Sequence, residues 1–137
     1  MIGTPEQDVF INSNKWAVVT SLRGDGSPTN SVIFYYRDGD ELIFSTMLSR
    51  LKAKTLAKDP RIAFTVLDEG APFGYVTVEG TARIQTDDVL VGHIKLMSAM
   101  RGGDFTPPDG YPERLAREER VLIHVTAERV HGVVNRS

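Results

Sequence analysis

Turns too short for a crossover join the first β-forming segments of this chain, and they restrict those segments to antiparallel pairing. Lys15 to Leu22 (KWAVVTSL) is rich in β-branched residues and carries a tryptophan, the composition that suits a pleated, half-buried surface. Arg23-Gly24-Asp25-Gly26-Ser27 follows, a turn with two glycines free to take positive φ. Pro28 to Arg37 (PTNSVIFYYR) is the next strand, and Asp38-Gly39-Asp40 turns it into a third that begins at Leu42. Parallel neighbours need a connection of about a dozen residues or more, so these three strands predict an antiparallel meander.

The flanking segments fill out the same picture. Thr4-Pro5-Glu6-Gln7 is a helix start, with Thr4 as cap, Pro5 at the first helical position and Gln7 at capping-box spacing. That helix is predicted to run to about Ser13, with Val9 and Phe10 turned inward. Arg61 to Asp68 is a fourth strand, followed by a loop from Glu69 to Phe73 that holds Gly70 and Pro72. Gly74 to Gln85 is a long fifth strand, and Gly80 inside it predicts a bulge or a sharp bend. Thr86-Asp87-Asp88 is predicted to cap a helix from about Val89 to Met100. Arg101 to Tyr111 (RGGDFTPPDGY) is an irregular loop, Pro112 to Glu118 a short helix, and Arg120 to Val134 holds the last strand. The fold class is therefore mainly β with short helices. Six strands of this kind fit a small closed or half-open barrel, because closure removes unpaired strand edges.

The chain has 137 residues, 41% hydrophobic and 25% charged, which suits one soluble domain spanning 1–137. A net charge of −2 argues against nucleic acid as a partner, and the aromatics do not interleave with basic residues along one strand. No cysteine is present, so disulfides, thiolate metal sites and cysteine nucleophiles are excluded. No apolar run approaches the roughly 20 residues that span a bilayer, and the N-terminus lacks a basic-then-apolar signal pattern. The expected location is cytoplasmic, without a membrane partner.

The most unusual stretch is Leu42 to Arg61 (LIFSTMLSRLKAKTLAKDPR). It reads as a strand, a turn and a short helix capped by Ser49 and stopped by Asp59-Pro60. Arg50, Lys52 and Lys54 crowd the start of that helix. A helix N-terminus already carries about half a positive charge, so exposed cations there cost roughly 0.3–1 kcal/mol each. Their placement makes sense if an anion such as a phosphate is bound. A solvated basic helix face also accounts for it.

No side-chain catalytic apparatus is visible. There is no G-x-S-x-G elbow, and Gly24-Asp25-Gly26 has neither the third glycine nor the following helix of a dinucleotide fingerprint. His93 falls on a predicted helix. His124 and His131 fall on one strand, seven apart, and so face opposite sides unless a bulge intervenes. No metal site is expected from them. An enzyme with this sequence would take its chemistry from a cofactor and supply position and electrostatics. Thr29, Asn30 and Ser31, with Ser45 and Thr46 on the adjacent strand, could satisfy the edge of a heteroaromatic ring. Ordinary polarity near turns explains them as well.

Across nearly its whole length the chain resembles the pyridoxamine 5′-phosphate oxidase-like split-barrel proteins. Within them it is most similar to the actinobacterial group that uses the deazaflavin coenzyme F420 in place of FMN. The specific segment is S-T-x-x-x-R-x-K-x-K-x-L-x-x-D-P-R, Ser45 to Arg61. Asp25-Gly26-Ser27-Pro28, Glu79-Gly80-Thr81-Ala82 and the R-V-x-G ending at Arg129 to Gly132 add to it. The resemblance implies a six-stranded antiparallel split β-barrel and a homodimer with two cofactor sites at the subunit interface. It implies that Arg50 and Lys52 hold the cofactor phosphate and that Lys54 stands where a further basic residue often lies. It implies that Asn30, Ser31, Val32, Ser45 and Thr46 line the ring, with residues near Tyr75 added by the second subunit. The implied activity is hydride transfer between reduced F420 and a small electron-poor organic substrate. The alternatives are an FMN-dependent oxidoreductase of the pyridoxamine-oxidising type and a non-catalytic cofactor or tetrapyrrole carrier. Relatives commonly carry asparagine where this chain has Thr55.

Overall fold

The computed structural model describes residues 1–70 and 73–134, so Pro72 of the expected loop lies outside the described residues. In chain order the elements are α1 (Pro5–Ser13), β1 (Trp16–Leu22), β2 (Pro28–Phe34), β3 (Tyr36–Asp38) and β4 (Glu41–Met47). They continue as α2 (Leu51–Lys58), β5 (Arg61–Leu67), β6 (Tyr75–Gln85), α3 (Leu90–Arg101), α4 (Tyr111–Arg117) and β7 (Arg120–Val133). All strand pairs are antiparallel, and the sheet runs β2-β1-β5-β6-β7-β4-β3.

The expected six strands are seven, because the segment from Pro28 to Arg37 breaks at Tyr35. Tyr35 donates its backbone N–H to the Lys15 carbonyl at 3.1 Å and its phenol O–H to the Ile11 carbonyl at 2.7 Å. Its ring stands edge-on to Phe64 with centroids 5.1 Å apart. These long-range contacts pull the residue inward. The chain then leaves β1, where Trp16 faces Phe34, and joins β4, where Tyr36 faces Ile43.

The break shapes the molecule. β2 and β3 are the two edges of the sheet, yet one residue separates them in sequence. The sheet must therefore curl until its edges meet, and a seam is left between β2 and β4. Among the described residues β2 pairs only with β1. β3 covers β4 only at Glu41 to Ile43, so Phe44 to Met47 are paired on the β7 side alone. Both sides of the seam therefore present strand-edge polar groups.

Alternating residues of the strands fill the interior. β1 and β5 bury every second side chain, as half-buried strands do. Phe44, Phe64, Val66, Val76, Val78 and Ile123 are fully buried, and each such side chain contributes about 1.5–3 kcal/mol relative to exposure. At Gly80 the predicted bulge is present. Glu79 pairs with Arg129 and Gly80 with Ala127, which leaves Glu128 over. A Cβ at Gly80 would collide with the Thr126 carbonyl, so glycine is required there.

The helices pack against the sheet: α2 on β1, β4 and β6, α3 on β3 and β4, and α4 on β7. Thr4 forms the expected capping box with Gln7. Phe10 is buried as expected, whereas Val9 points outward at 62% exposure. Two caps differ from expectation. Arg50, not Ser49, occupies the N-cap of α2, and no side chain caps it. Ser49 is held one residue early by a turn in which Arg50 N–H donates to the Met47 carbonyl at 2.9 Å. α3 starts after Val89 with no side-chain cap. The Gln85 amide binds the carbonyls of Asp87 and Asp88 instead, and Asp88 takes a φ of 52°. Among the described residues no helix is long and apolar enough to cross a membrane.

Candidate functional site

The seam opens into a cavity of about 560 Å³. One wall is Val32 to Phe34 of β2 and the other is Ser45 to Met47 of β4. α3 contributes His93, Leu96 and Met97, the loop after it Phe105 and Pro108, and α4 Tyr111, Arg114 and Leu115. Arg50 and Lys52 close one end, together with Glu118 and Arg120. The cavity is thus apolar along one side, lined by strand edge on the other, and cationic at one end.

The charge is uneven in a useful way. Glu118 accepts from Arg114 Nε at 3.2 Å and from Arg120 Nε at 3.0 Å. These bonds hold its carboxyl below the usual range. Among the described residues, Arg50 and Lys52 have no ion pair. Burial lowers the Lys52 pKa, and the neighbouring Arg50 and Arg120 push it the same way. Lys52 is therefore a cation crowded by cations, an arrangement that a bound anion would relieve.

The α2 N-terminus adds to this. The first helical bond runs from Lys54 N–H to the Arg50 carbonyl at 3.2 Å, so the N–H groups of Leu51, Lys52 and Ala53 precede it. No side chain caps the helix and no acid stands in its first turn. Free first-turn N–H groups, the helix dipole and two cations without an ion pair among the described residues thus share the start of α2, the combination a phosphate site uses.

Thr46 supplies a second sign of a ligand. The residue is 2% exposed, its hydroxyl has no hydrogen-bond partner among the described residues, and it lines the cavity beside Ser45. A buried hydroxyl left unpaired costs about 1–3 kcal/mol. Ser45 is engaged, with its Oγ 2.6 Å from His93 Nε2.

Of the residues singled out in the sequence, Val32, Ser45, Thr46, Arg50 and Lys52 come together on this cavity. The others do not join it within the chain. Asn30 accepts from the Thr20 hydroxyl at 2.6 Å, and Ser31 faces Val19 across the β1–β2 ladder. Lys54 lies with Arg23 and Lys58 in a separate groove on another side of α2. Tyr75 starts β6 between Leu67 and Val133. Phe105, Pro108 and Tyr111 place the Arg101–Tyr111 loop on the cavity wall.

Sequence reasoning missed His93, Arg114, Glu118 and Arg120. His93 shares a helical stripe with Leu96 and Met97, a spacing visible in the sequence, but its partner on β4 is 48 residues away. The other two histidines stand elsewhere. His124 meets Gln85 Oε1 at 2.7 Å and Glu41 Oε1 at 3.3 Å, and His131 lies 3.3 Å from Glu79 Oε2.

Solved structures share this architecture at fold level. An F420 reductase superposes with a TM-score of 0.69 at 24% identity, over 85% of this chain and 89% of that one. A conserved hypothetical protein from Mycobacterium tuberculosis gives 0.78 at 22% identity, over 98% and 88%. An FAD-binding protein from Mesorhizobium loti gives 0.66 at 21%, over 96% and 94%. The family model described as pyridoxamine 5′-phosphate oxidase matches residues 4–134. That match runs from the capping box of α1, through the seam and its basic helix, to the end of β7, and the chain belongs to that family.

Proposed function

We propose that this protein is an oxidoreductase that binds coenzyme F420 in the seam and exchanges a hydride between it and a small electron-poor organic substrate. The observation that carries the reading is the pair Arg50 and Lys52. Both lie at the uncapped start of α2, at the cationic end of a cavity whose wall holds a buried hydroxyl with no partner among the described residues. A flat heterocycle with a phosphate tail fits these groups. The phosphate would meet Arg50, Lys52 and the first-turn N–H groups, and the polar ring edge would meet Ser45, Thr46 and the β2 and β4 edges. Bound F420 would supply the hydride chemistry.

The chain's own contribution is binding, orientation and exclusion of water. Leu96, Met97, Phe105 and Pro108 form an apolar wall against which a second flat molecule can stack. The likeness to an F420 reductase supports the deazaflavin. The likeness to an FAD-binding protein supports a flavin in the same seam, and FMN is the second reading. A homodimer would complete the site. Val32 lines the cavity yet is 66% exposed, and Trp16, Leu51 and Leu67 are also open apolar surface, while Asn30, Ser31 and Tyr75 wait outside the cavity.

The test is anaerobic mixing of reduced F420 with a panel of quinones, following the return of deazaflavin fluorescence. Oxidation that depends on the protein is expected. Tight binding without turnover across the panel would instead make the protein a carrier.

A further inference from the structure

His93 is buried at 3% exposure, and both of its ring nitrogens are engaged. Nδ1 lies 2.7 Å from the Val89 carbonyl oxygen, a group that can only accept. Nδ1 therefore carries the proton and donates. Nε2 lies 2.6 Å from Ser45 Oγ. In the neutral ring that nitrogen holds a lone pair and can only accept, so the Ser45 hydroxyl must give its one proton to His93. What remains on Ser45 towards the cavity is oxygen lone pairs.

We infer that His93 is a positioning residue that fixes Ser45 as a hydrogen-bond acceptor facing the seam, so that the site selects a ring edge bearing an N–H or O–H donor. The surroundings keep the imidazole neutral. Burial holds its pKa below the ordinary 6.5, and Arg120 acts in the same direction. The Val89 bond, second to burial in size, and Glu118, the weakest influence, oppose them without reversing the shift. Arg50, Lys52 and Arg114, the other charged groups on the cavity, add cations and no further carboxylate. With His93 protonated, Nε2 would become a donor and Ser45 would turn its own proton towards the seam. The polarity read by the ligand would then reverse.

The inference rests on the seam being the ligand site, but its first half is testable without any ligand. Nitrogen-15 shifts of the His93 imidazole in the free wild-type protein report the tautomer directly. A protonated Nδ1 with an unprotonated Nε2 at neutral pH is expected. A protonated Nε2 overturns the inference. The second half is a double-mutant cycle read as the dissociation constant for F420. Ser45→Ala and His93→Phe should each weaken binding about five- to tenfold, the range for one hydrogen bond. The double variant should bind no more weakly than Ser45→Ala alone, because His93 acts only through Ser45. Losses that multiply would show a packing role and overturn the inference. If His93→Phe does not fold, the wild-type tautomer still decides. If wild-type protein does not bind F420, the functional reading falls and the tautomer stands as a separate result.

Discussion

Ser21 Oγ and Thr55 Oγ1 lie 2.7 Å apart in a buried hydrogen bond that ties α2 to β1. Thr55 gives its own proton to the Lys52 carbonyl at 3.0 Å, so Ser21 is the donor of the pair. The bond holds the helix that presents Arg50 and Lys52 at the seam. It also shows what Thr55 does in this chain: it accepts from Ser21 and donates to the helix backbone. Thr55→Val keeps the shape and removes the acceptor, which strands the Ser21 hydroxyl. The expected cost is about 1–3 kcal/mol, read as a lower urea midpoint with an unchanged slope.

Thr46 should behave in the opposite way. Its hydroxyl is buried with no hydrogen-bond partner among the described residues, so Thr46→Val removes a penalty. Unfolding of the ligand-free variant should need about 1 kcal/mol more than wild type. Affinity for the cofactor should fall, because the hydroxyl is then missing where a ring edge would meet it. A loss of stability instead would mean that the hydroxyl already has a partner.

Arg50 and Lys52 are expected to bind and not to stabilise. Neither makes an ion pair among the described residues, and burial and neighbouring cations both disfavour the charge on Lys52. The double variant Arg50→Ala/Lys52→Ala should lose no more than about 0.5 kcal/mol of stability and can gain some, because the cations oppose the helix dipole and each other. Two charge-assisted bonds to a phosphate are worth about 1.5–3 kcal/mol each, so cofactor affinity should drop more than about a hundredfold. Unaltered binding by the folded variant would remove the phosphate clamp.

His93 gives stability a pH dependence of known sign. Its folded pKa lies below the ordinary 6.5. Above 6.5 neither state holds the proton and the group contributes no slope. As pH falls below 6.5 the unfolded chain takes up the proton first, so stability decreases until the folded pKa is passed. Denaturation curves at a series of pH values should show this loss in wild type. His93→Gln, which cannot titrate there, should lack that component.

Local chemistry made much of the fold readable. The Thr4–Gln7 box and the lone glycine at Gly80 each encode a feature within a few residues. The break at Tyr35 is different, since Val32 to Arg37 reads as uninterrupted strand and is divided only by contacts with Lys15, Ile11 and Phe64. The same division governs the site. Ser45, Thr46, Arg50 and Lys52 sit on one continuous segment, and the charges of Arg50 and Lys52 mark it as a candidate anion site. His93, Arg114, Glu118 and Arg120 arrive from elements far along the chain, and only the curl of the sheet brings them to the seam. Lys54 shares the basic run, but helical geometry turns it to another groove.

The most direct measurement is titration of the purified protein with F420 and, separately, with FMN, following fluorescence quenching. Saturable binding of both, tighter for F420, is the expected result. Tighter binding of FMN would contradict the deazaflavin reading and leave a flavin enzyme in the same seam. Binding of neither would contradict the role given to Arg50 and Lys52.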